Sequence, residues 1–261
     1  MGFVPTMGAL HDGHLSLVKN SKSNNGLTIC SIFVNPTQFN DPKDYEKYPN
    51  TIEQDIYKLE SFDCDILFLP STSEIYPLDA DRKKHFELGY LEEILEGKWR
   101  PGHFQGVCMV VEKLLKIVEP DVLYLGQKDY QQCMVIRKLI EQMGMSEKIE
   151  LKISPTVRET DGLAMSSRNL RLNADERALA TSIYAMLMFI KKQVKNLPTD
   201  DLKRQATSML EEKGFKVDYV EIAEARALDT IQKFSPQIKT VALAAAYLND
   251  VRLIDNMILN D

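Results

Sequence analysis

The sequence predicts an α/β protein: a parallel sheet covered by helices, followed by a smaller α+β region. Three observations carry that prediction. Strand-like and helix-like segments alternate through the first half of the chain. Its strand-like segments are apolar throughout, the pattern of strands covered on both faces rather than one. Beyond roughly residue 160 the texture changes to helices followed by strands, the order expected of an α+β unit.

Each element has its own signal. Phe3 and Val4 lead into Pro5-Thr6-Met7-Gly8-Ala9-Leu10-His11-Asp12-Gly13-His14, and Leu15, Leu17 and Val18 lead out, which reads as strand, tight turn and helix N-terminus. Residues 27–34 form a β-rich run (Ile29, Ile32, Phe33, Val34) between Asn-Gly and Asn-Pro. Residues 51–62 have helical spacing through Ile52, Ile56 and Leu59, and 65–69 are a short apolar strand. Residues 106–118 predict a helix, 121–125 a strand, 130–143 a helix and 149–153 a strand. Asn173 with Glu176 predicts a capping box opening a helix to about Val194. Leu197-Pro198-Thr199-Asp200 breaks it, and a second helix runs to a Gly214 cap. Strands at 217–222, 240–247 and 251–254 follow, the last two joined by an Asn249-Asp250 hairpin turn.

With 261 residues, 44% of them apolar, the chain can bury one large core or two smaller ones. A net charge of -6 with scattered lysines and arginines argues against general nucleic-acid binding. Cys30, Cys64, Cys108 and Cys133 have no metal-like spacing, so they read as reduced, mostly buried thiols of a cytosolic protein. No apolar stretch is long enough for a membrane span, and no secretion signal is expected at the start.

In an open parallel sheet, ligands bind beyond the carboxyl ends of the strands. The polar clusters fall there: the Pro5 to His14 run, Asn35-Pro36-Thr37-Gln38-Phe39, Gly126-Gln127-Lys128-Asp129-Tyr130-Gln131-Gln132, Thr156-Val157-Arg158, and Met165-Ser166-Ser167-Arg168-Asn169. The unpaired N–H groups of a helix start suit a phosphate, and His11 and His14 can donate to the same group. Each cluster also has a plainer reading. Gln38 could cap a turn, Lys128-Asp129 could be a solvated pair, and Ser166-Ser167-Arg168 could be a helix N-terminus. His103 could be a loop histidine with a structural hydrogen bond, and the row Val107, Val110, Val111 and Leu114 could be core.

Taken together and in order, PTMGALHDGH, SIFVNPTQF, RPGHFQGV, LGQKDYQQ, PTVRETDGLAMSSRN and the late RLIDN resemble the pantothenate synthetases (pantoate–β-alanine ligases) over essentially the whole chain. The HxGH element is shared with the wider nucleotidyltransferase and class I aminoacyl-tRNA synthetase superfamily. The NP-x-QF, KDYQQ and MSSRN elements narrow the match. The resemblance implies a Rossmann-like ATP- and pantoate-binding domain over 1–157, a smaller C-terminal α+β lid over 158–261, and a cytoplasmic homodimer. It implies ATP-dependent condensation of pantoate with β-alanine through a pantoyl-adenylate, releasing AMP and pyrophosphate, with Mg2+ accompanying the triphosphate and no protein metal ligands assigned.

By the same resemblance, Met7, Gly8, Ala9, Leu10, His11, Asp12, Gly13 and His14 cradle ATP, His14 being the proton donor and His11 its companion. Lys128, Ser166, Ser167 and Arg168 hold the β- and γ-phosphates, with Met165 opening that segment, which is expected to move on ATP binding. Gly126, Gln127, Lys128, Asp129 and the Val157 backbone receive ribose and adenine. Gln38 and Gln132 bind pantoate, Gln38 also touching β-alanine, while Val107, Val110, Val111 and Leu114 meet pantoate's methyl groups.

Three departures stand out. Gln127 replaces the usual Glu, Asn50 replaces the usual Arg, and relatives carry a strand and helix ahead of this chain's first segment, so a deficit at the sheet edge is expected. Other readings remain open at this point: an adenylyltransferase with a different acceptor, a nucleotide-binding regulatory protein, and, least well matched, a tRNA synthetase.

Overall fold

The computed structural model describes residues 1–40, 42–77 and 84–260. The chain divides into two units, Met1–Gln127 with Gln131–Pro155, and Lys128–Tyr130 with the chain from Thr156 on.

The first unit runs β1 (Gly2–Thr6), α1 (Asp12–Asn24), β2 (Thr28–Ile32), a 3-10 turn (Pro36–Gln38), α2 (Pro42–Glu46), α3 (Ile52–Ser61), β3 (Ile66–Phe68) and α4 (Thr72–Ile75). It continues with α5 (Tyr90–Glu93), α6 (Leu95–Trp99), α7 (His103–Val118), β4 (Val122–Gly126), α8 (Tyr130–Gln142, all but its first residue) and β5 (Glu150–Ser154). The five strands are parallel, in the order β3-β2-β1-β4-β5. Val4, Cys30, Ile32, Val122 and Tyr124 pack with Leu17 and Val18 of α1 and Leu59 of α3 on one face. Phe3 and Leu123 alternate to the other face and are equally buried, so helices cover both sides. Burial of each such side chain contributes about 1.5–3 kcal/mol, which anchors the base of the β1–α1 loop.

The expected double burial holds for β1, β2 and β4. It fails at the edges, where Ile66 of β3 is exposed and β5 carries exposed Glu150 and half-buried Lys152. An edge strand lacks one neighbour and part of its cover. The expected edge deficit does not fall on the first strand: β1 is central and pairs with β2 over all five residues. With β4 it pairs only at Gly2 and Phe3. Gly2 donates to Leu27 and Thr6 accepts from Phe33 on the β2 side, so strand alternation turns Phe3 and Pro5 toward β4. Pro5 has no N–H to give there, and β1 and β4 part beyond Phe3. This separation opens at the switch point of the strand order, where β1 ends.

The second unit carries α9 (Ala174–Ala180), α10 (Ser182–Gln193), α11 (Thr199–Glu211) and an antiparallel sheet of β6 (Lys216–Glu224), β7 (Thr240–Leu248) and β8 (Val251–Ile258) in sequence order. The Asn173–Glu176 capping box is present. The single helix expected to Val194 is divided at Thr181, whose hydroxyl donates to the Ala178 carbonyl and competes with the helical ladder. Gly214 takes φ +85° after α11, and Asn249 takes φ +48° in the hairpin turn. Ile183, Met186, Leu187 and Ile190 of α10, with Leu202, Ala206 and Leu210 of α11, pack on Val220, Ile222 and the alanines Ala242, Ala244 and Ala246.

Candidate active site

In the first unit the loop leaving β1 is a tight left-handed turn, with φ +83° at Gly8 and +49° at Ala9. A Cβ at Gly8 would lie 3.1 Å from Ile32 Cγ2 and 3.2 Å from Asp55 Oδ2, so glycine suits both the space and the backbone. Ala9 has no such freedom and is held by what surrounds it. The carboxylate of Asp55, 0% exposed, accepts the Ala9 and Leu10 amides at 2.8 Å each and the Thr51 hydroxyl at 3.1 Å. Lys58 Nζ donates to the Leu10 carbonyl at 2.6 Å. Helix α3 thus bolts the turn in place.

His11 is the N-cap of α1 in extended conformation, and its Nδ1 accepts from Gly13 N at 3.1 Å. His14 Nδ1 accepts from His11 N at 3.3 Å, completing a reciprocal capping box made by two imidazoles. The rings lie with centroids 4.0 Å apart. A neutral imidazole that accepts at Nδ1 carries its proton on Nε2, so both rings present an Nε2–H donor at the start of a 13-residue helix. Fixed donors and the helix N-terminus favour an anion at this place.

Gln38 closes the 3-10 turn after β2 and is buried. Its Oε1 accepts from Asn35 Nδ2 at 3.1 Å, and its Nε2 lies 3.0 Å from Met7 Sδ, joining two predicted site residues. Asn35 Oδ1 accepts from the Thr37 hydroxyl at 2.9 Å and the Tyr76 hydroxyl at 2.8 Å. The Gln38 carbonyl meets His103 Nδ1 at 2.7 Å. Arg100 Nη1, which can only donate, faces His103 Nε2 at 3.1 Å, so His103 Nδ1 holds the proton given to Gln38. The structural reading of His103 is therefore right, though it begins α7 rather than lying in a loop. Gly106 lets α7 approach this turn: a Cβ there would stand 2.2 Å from the Thr37 carbonyl oxygen.

Val107, Val110, Val111 and Leu114 share one face of α7 and are all buried. The neighbouring glutamines of α8 differ in use. Gln131 is consumed by the fold, accepting from Glu96 N and donating to the Leu91 and Ile94 carbonyls. Gln132 is half-buried, and its side-chain amide has no hydrogen-bond partner among the described residues.

The Gly126-Gln127-Lys128-Asp129 run divides between the units after Gln127. In the second unit, Lys128 is not a solvated lysine: its side chain is 15% exposed, with Asp129 Oδ1 at 3.7 Å from Nζ. Its carbonyl accepts from Asn256 Nδ2 at 2.8 Å. Residues 158–164 form a small hairpin, with Met165 N donating to the Val157 carbonyl at 3.0 Å and Arg158 bridged to Ala164. Ser166 caps the following 3-10 helix (Ser167–Arg171), its Oγ accepting from Arg168 N at 3.3 Å, so the plain reading of that segment also holds. Thr156 Oγ1 and Asn169 Oδ1 are buried without partners beside these residues. Burial pushes the Asp255 carboxyl up, and the Arg158 guanidinium opposes that shift through both oxygens.

Asp55 and the Asp255-Asn256 pair support these residues without having been assigned roles from sequence. The available signal for Asp55 was an acid on the apolar stripe of Ile52, Ile56 and Leu59.

The family profile described as pantoate-beta-alanine ligase matches residues 1–258. A pantothenate synthetase of Cytophaga hutchinsonii is 46% identical over 99% of this chain and 91% of its own length. One from Bacteroides thetaiotaomicron is 42% identical over 98% and 90%. The crystal structure of pantothenate synthetase from Thermus thermophilus matches with a TM-score of 0.93 at 37% identity, covering 100% of this chain and 93% of that one. The pantoate-beta-alanine ligase of Francisella tularensis, crystallised with beta-gamma ATP and beta-alanine, matches at 0.81 and 43% identity over 99% and 89%.

Proposed function

This chain belongs to the pantoate–β-alanine ligase family, and on that premise we propose that it condenses pantoate with β-alanine through a pantoyl-adenylate. A pantoate carboxylate oxygen attacks the α-phosphorus of ATP, and the bond to pyrophosphate breaks. The β-alanine amine then attacks the acyl carbon, AMP departs with the former carboxylate oxygen, and the amine loses a proton as the amide forms. Charge builds first on the α-phosphate and departing pyrophosphate, where fixed donors stabilise it most.

The observation that carries this reading is the reciprocal His11–His14 capping box, which orients two Nε2–H donors at the α1 N-terminus. His14 donates to the developing charge and His11 assists on the phosphates, within the loop from Met7 to His14. Lys128, Ser166, Ser167 and Arg168 bind the β- and γ-phosphates. Gly126, Gln127, Asp129, Val157 and Met165 complete the ATP set. Gln38 and Gln132 bind pantoate, with Val107, Val110 and Val111 against its methyl groups. Mg2+ would accompany the triphosphate and help neutralise its charge, with no protein ligands assigned. The proposal includes a lid role for residues 158–261, a homodimer, and a cytoplasmic setting, which four free thiols support.

Pantoate labelled with 18O in its carboxylate tests the route. One label appears in AMP if the adenylate forms. Unlabelled AMP, or release of ADP and phosphate instead, overturns it. Pyrophosphate exchange that proceeds without pantoate favours an adenylyltransferase with another acceptor.

A further inference from the structure

Strand β8 breaks its own alternation. Asp255 and Asn256 are consecutive, polar and both buried, at a point where one of the two should face outward. The apolar core of the second unit lies on the same sheet and could have taken an apolar residue. Burying a carboxylate and a guanidinium together gives little net stability over well-packed apolar side chains. The pair is better understood by what it holds.

Asn256 Nδ2 donates to the Lys128 carbonyl at 2.8 Å. Asp255 takes Arg158 in a two-point pair, at 2.6 Å and 3.0 Å. The same guanidinium donates to the Asn256 carbonyl at 3.1 Å and the Gly162 carbonyl at 3.0 Å, and lies over the Tyr184 ring at 4.7 Å. Arg158 follows Val157 and starts the hairpin that returns at Ala164, just before Met165 and the Ser166-Ser167-Arg168 run. Two neighbouring side chains on one strand therefore grip the main chain at Lys128 and the base of the segment that carries the serines and Arg168. These two places are distant in sequence and share the phosphate role proposed above.

We propose that Asp255 and Asn256 are positioning residues for nucleotide binding: Asn256 sets Lys128 through its carbonyl, and Asp255, acting through Arg158, sets the hairpin leading to Ser166, Ser167 and Arg168. This rests on the assignment of those residues to ATP. Main-chain segments held by two neighbouring side chains of one strand keep a common register toward the phosphates, and slackening either grip weakens ATP use.

The test is steady-state kinetics on Asn256→Ala and Asp255→Asn, at a temperature where calorimetry shows each variant folded, with Lys128→Ala alone and combined with Asn256→Ala. KM for ATP is expected to rise about tenfold in both single variants, with KM for β-alanine within about twofold. In the Lys128→Ala background, Asn256→Ala should add little, because residues acting through one group are not additive. Should Asp255→Asn, which leaves the Arg158 guanidinium without its counter-charge, not fold, Asn256→Ala, which removes a neutral hydrogen bond, carries the same expectation. A lowered Tm with unchanged KM for ATP overturns the proposal, as does full additivity with Lys128→Ala. Failure of the wild-type protein to form AMP from ATP and pantoate strikes the underlying assignment instead, so the two failures are distinct.

Discussion

His11 and His14 each accept a main-chain N–H at Nδ1, so their tautomers are set by the helix they begin. Removing His14 deletes both a donor and half of the cap. His14→Ala is expected to lower the single-turnover rate of adenylate formation by about 100- to 1000-fold, the usual loss for one transition-state donor; an unchanged rate removes it from the chemistry. Asp55 acts one step back. Asp55→Asn keeps the shape but exchanges a charged acceptor of two amides for a neutral one, one of whose ends is a donor. We expect a loss of about 1–3 kcal/mol in unfolding free energy and, because the histidine turn shifts, about a tenfold to hundredfold slower adenylation. Chemical denaturation with single-turnover assays on the folded variant separates the two effects. The histidines were legible in sequence because strand, turn and helix signals framed them. Asp55 was not, because the two partners in the histidine turn are backbone amides 45 and 46 residues away, and no side-chain pattern records which amide a carboxylate will meet.

At the scale of elements, the central strands and long helices were readable from apolar periodicity, while boundaries that depend on tertiary contact were not. Helix α7 starts at His103, three residues before the expected Gly106, because His103 and Gly106 both meet the turn at Gln38. Gly106→Ala forces a Cβ onto the Thr37 carbonyl. It is expected to cost about 1–3 kcal/mol and to raise KM for pantoate, whereas Gly26→Ala, with nothing within 4 Å of its Cβ, leaves KM unchanged. Equal KM values in the two variants contradict the close packing of α7 on the Gln38 turn. The same helix carries Glu112. Burial raises its carboxyl, but hydrogen bonds and charge from Lys116 and Lys84 outweigh burial and hold it below its ordinary value. A depressed folded value means stability that is present above the unfolded value of about 4.3 and lost as pH falls through the folded one. Between about pH 5 and pH 3, the wild-type protein should therefore lose more unfolding free energy than Glu112→Gln. Parallel losses in urea titrations at the two pH values would contradict the shift.

For the whole molecule, the change of texture near residue 160 was legible because hydrophobic periodicity and element order both change there. The transfer of Lys128–Tyr130 to the second unit was not. It depends on Asn256 and on the Tyr130 hydroxyl, which donates to the Ala225 carbonyl at 2.7 Å, contacts between residues far apart in the chain. Each unit has an apolar cluster of its own, and all four cysteines belong to the first. Burial pushes the Cys30 thiol far up and the Cys108 thiol to about 12, so neither forms appreciable thiolate near neutral pH in the folded state. With half-exposed Cys64 replaced by serine, labelling of the buried thiols against denaturant therefore reports opening of the first unit alone. Amide exchange in β7, whose inner residues are buried, reports the second. With a core in each unit, the two transitions are expected at different urea midpoints, because chains of more than one unit commonly depart from two-state unfolding. Superimposable curves at every urea concentration would instead mean that the units unfold as one, the loss of either core carrying the other with it.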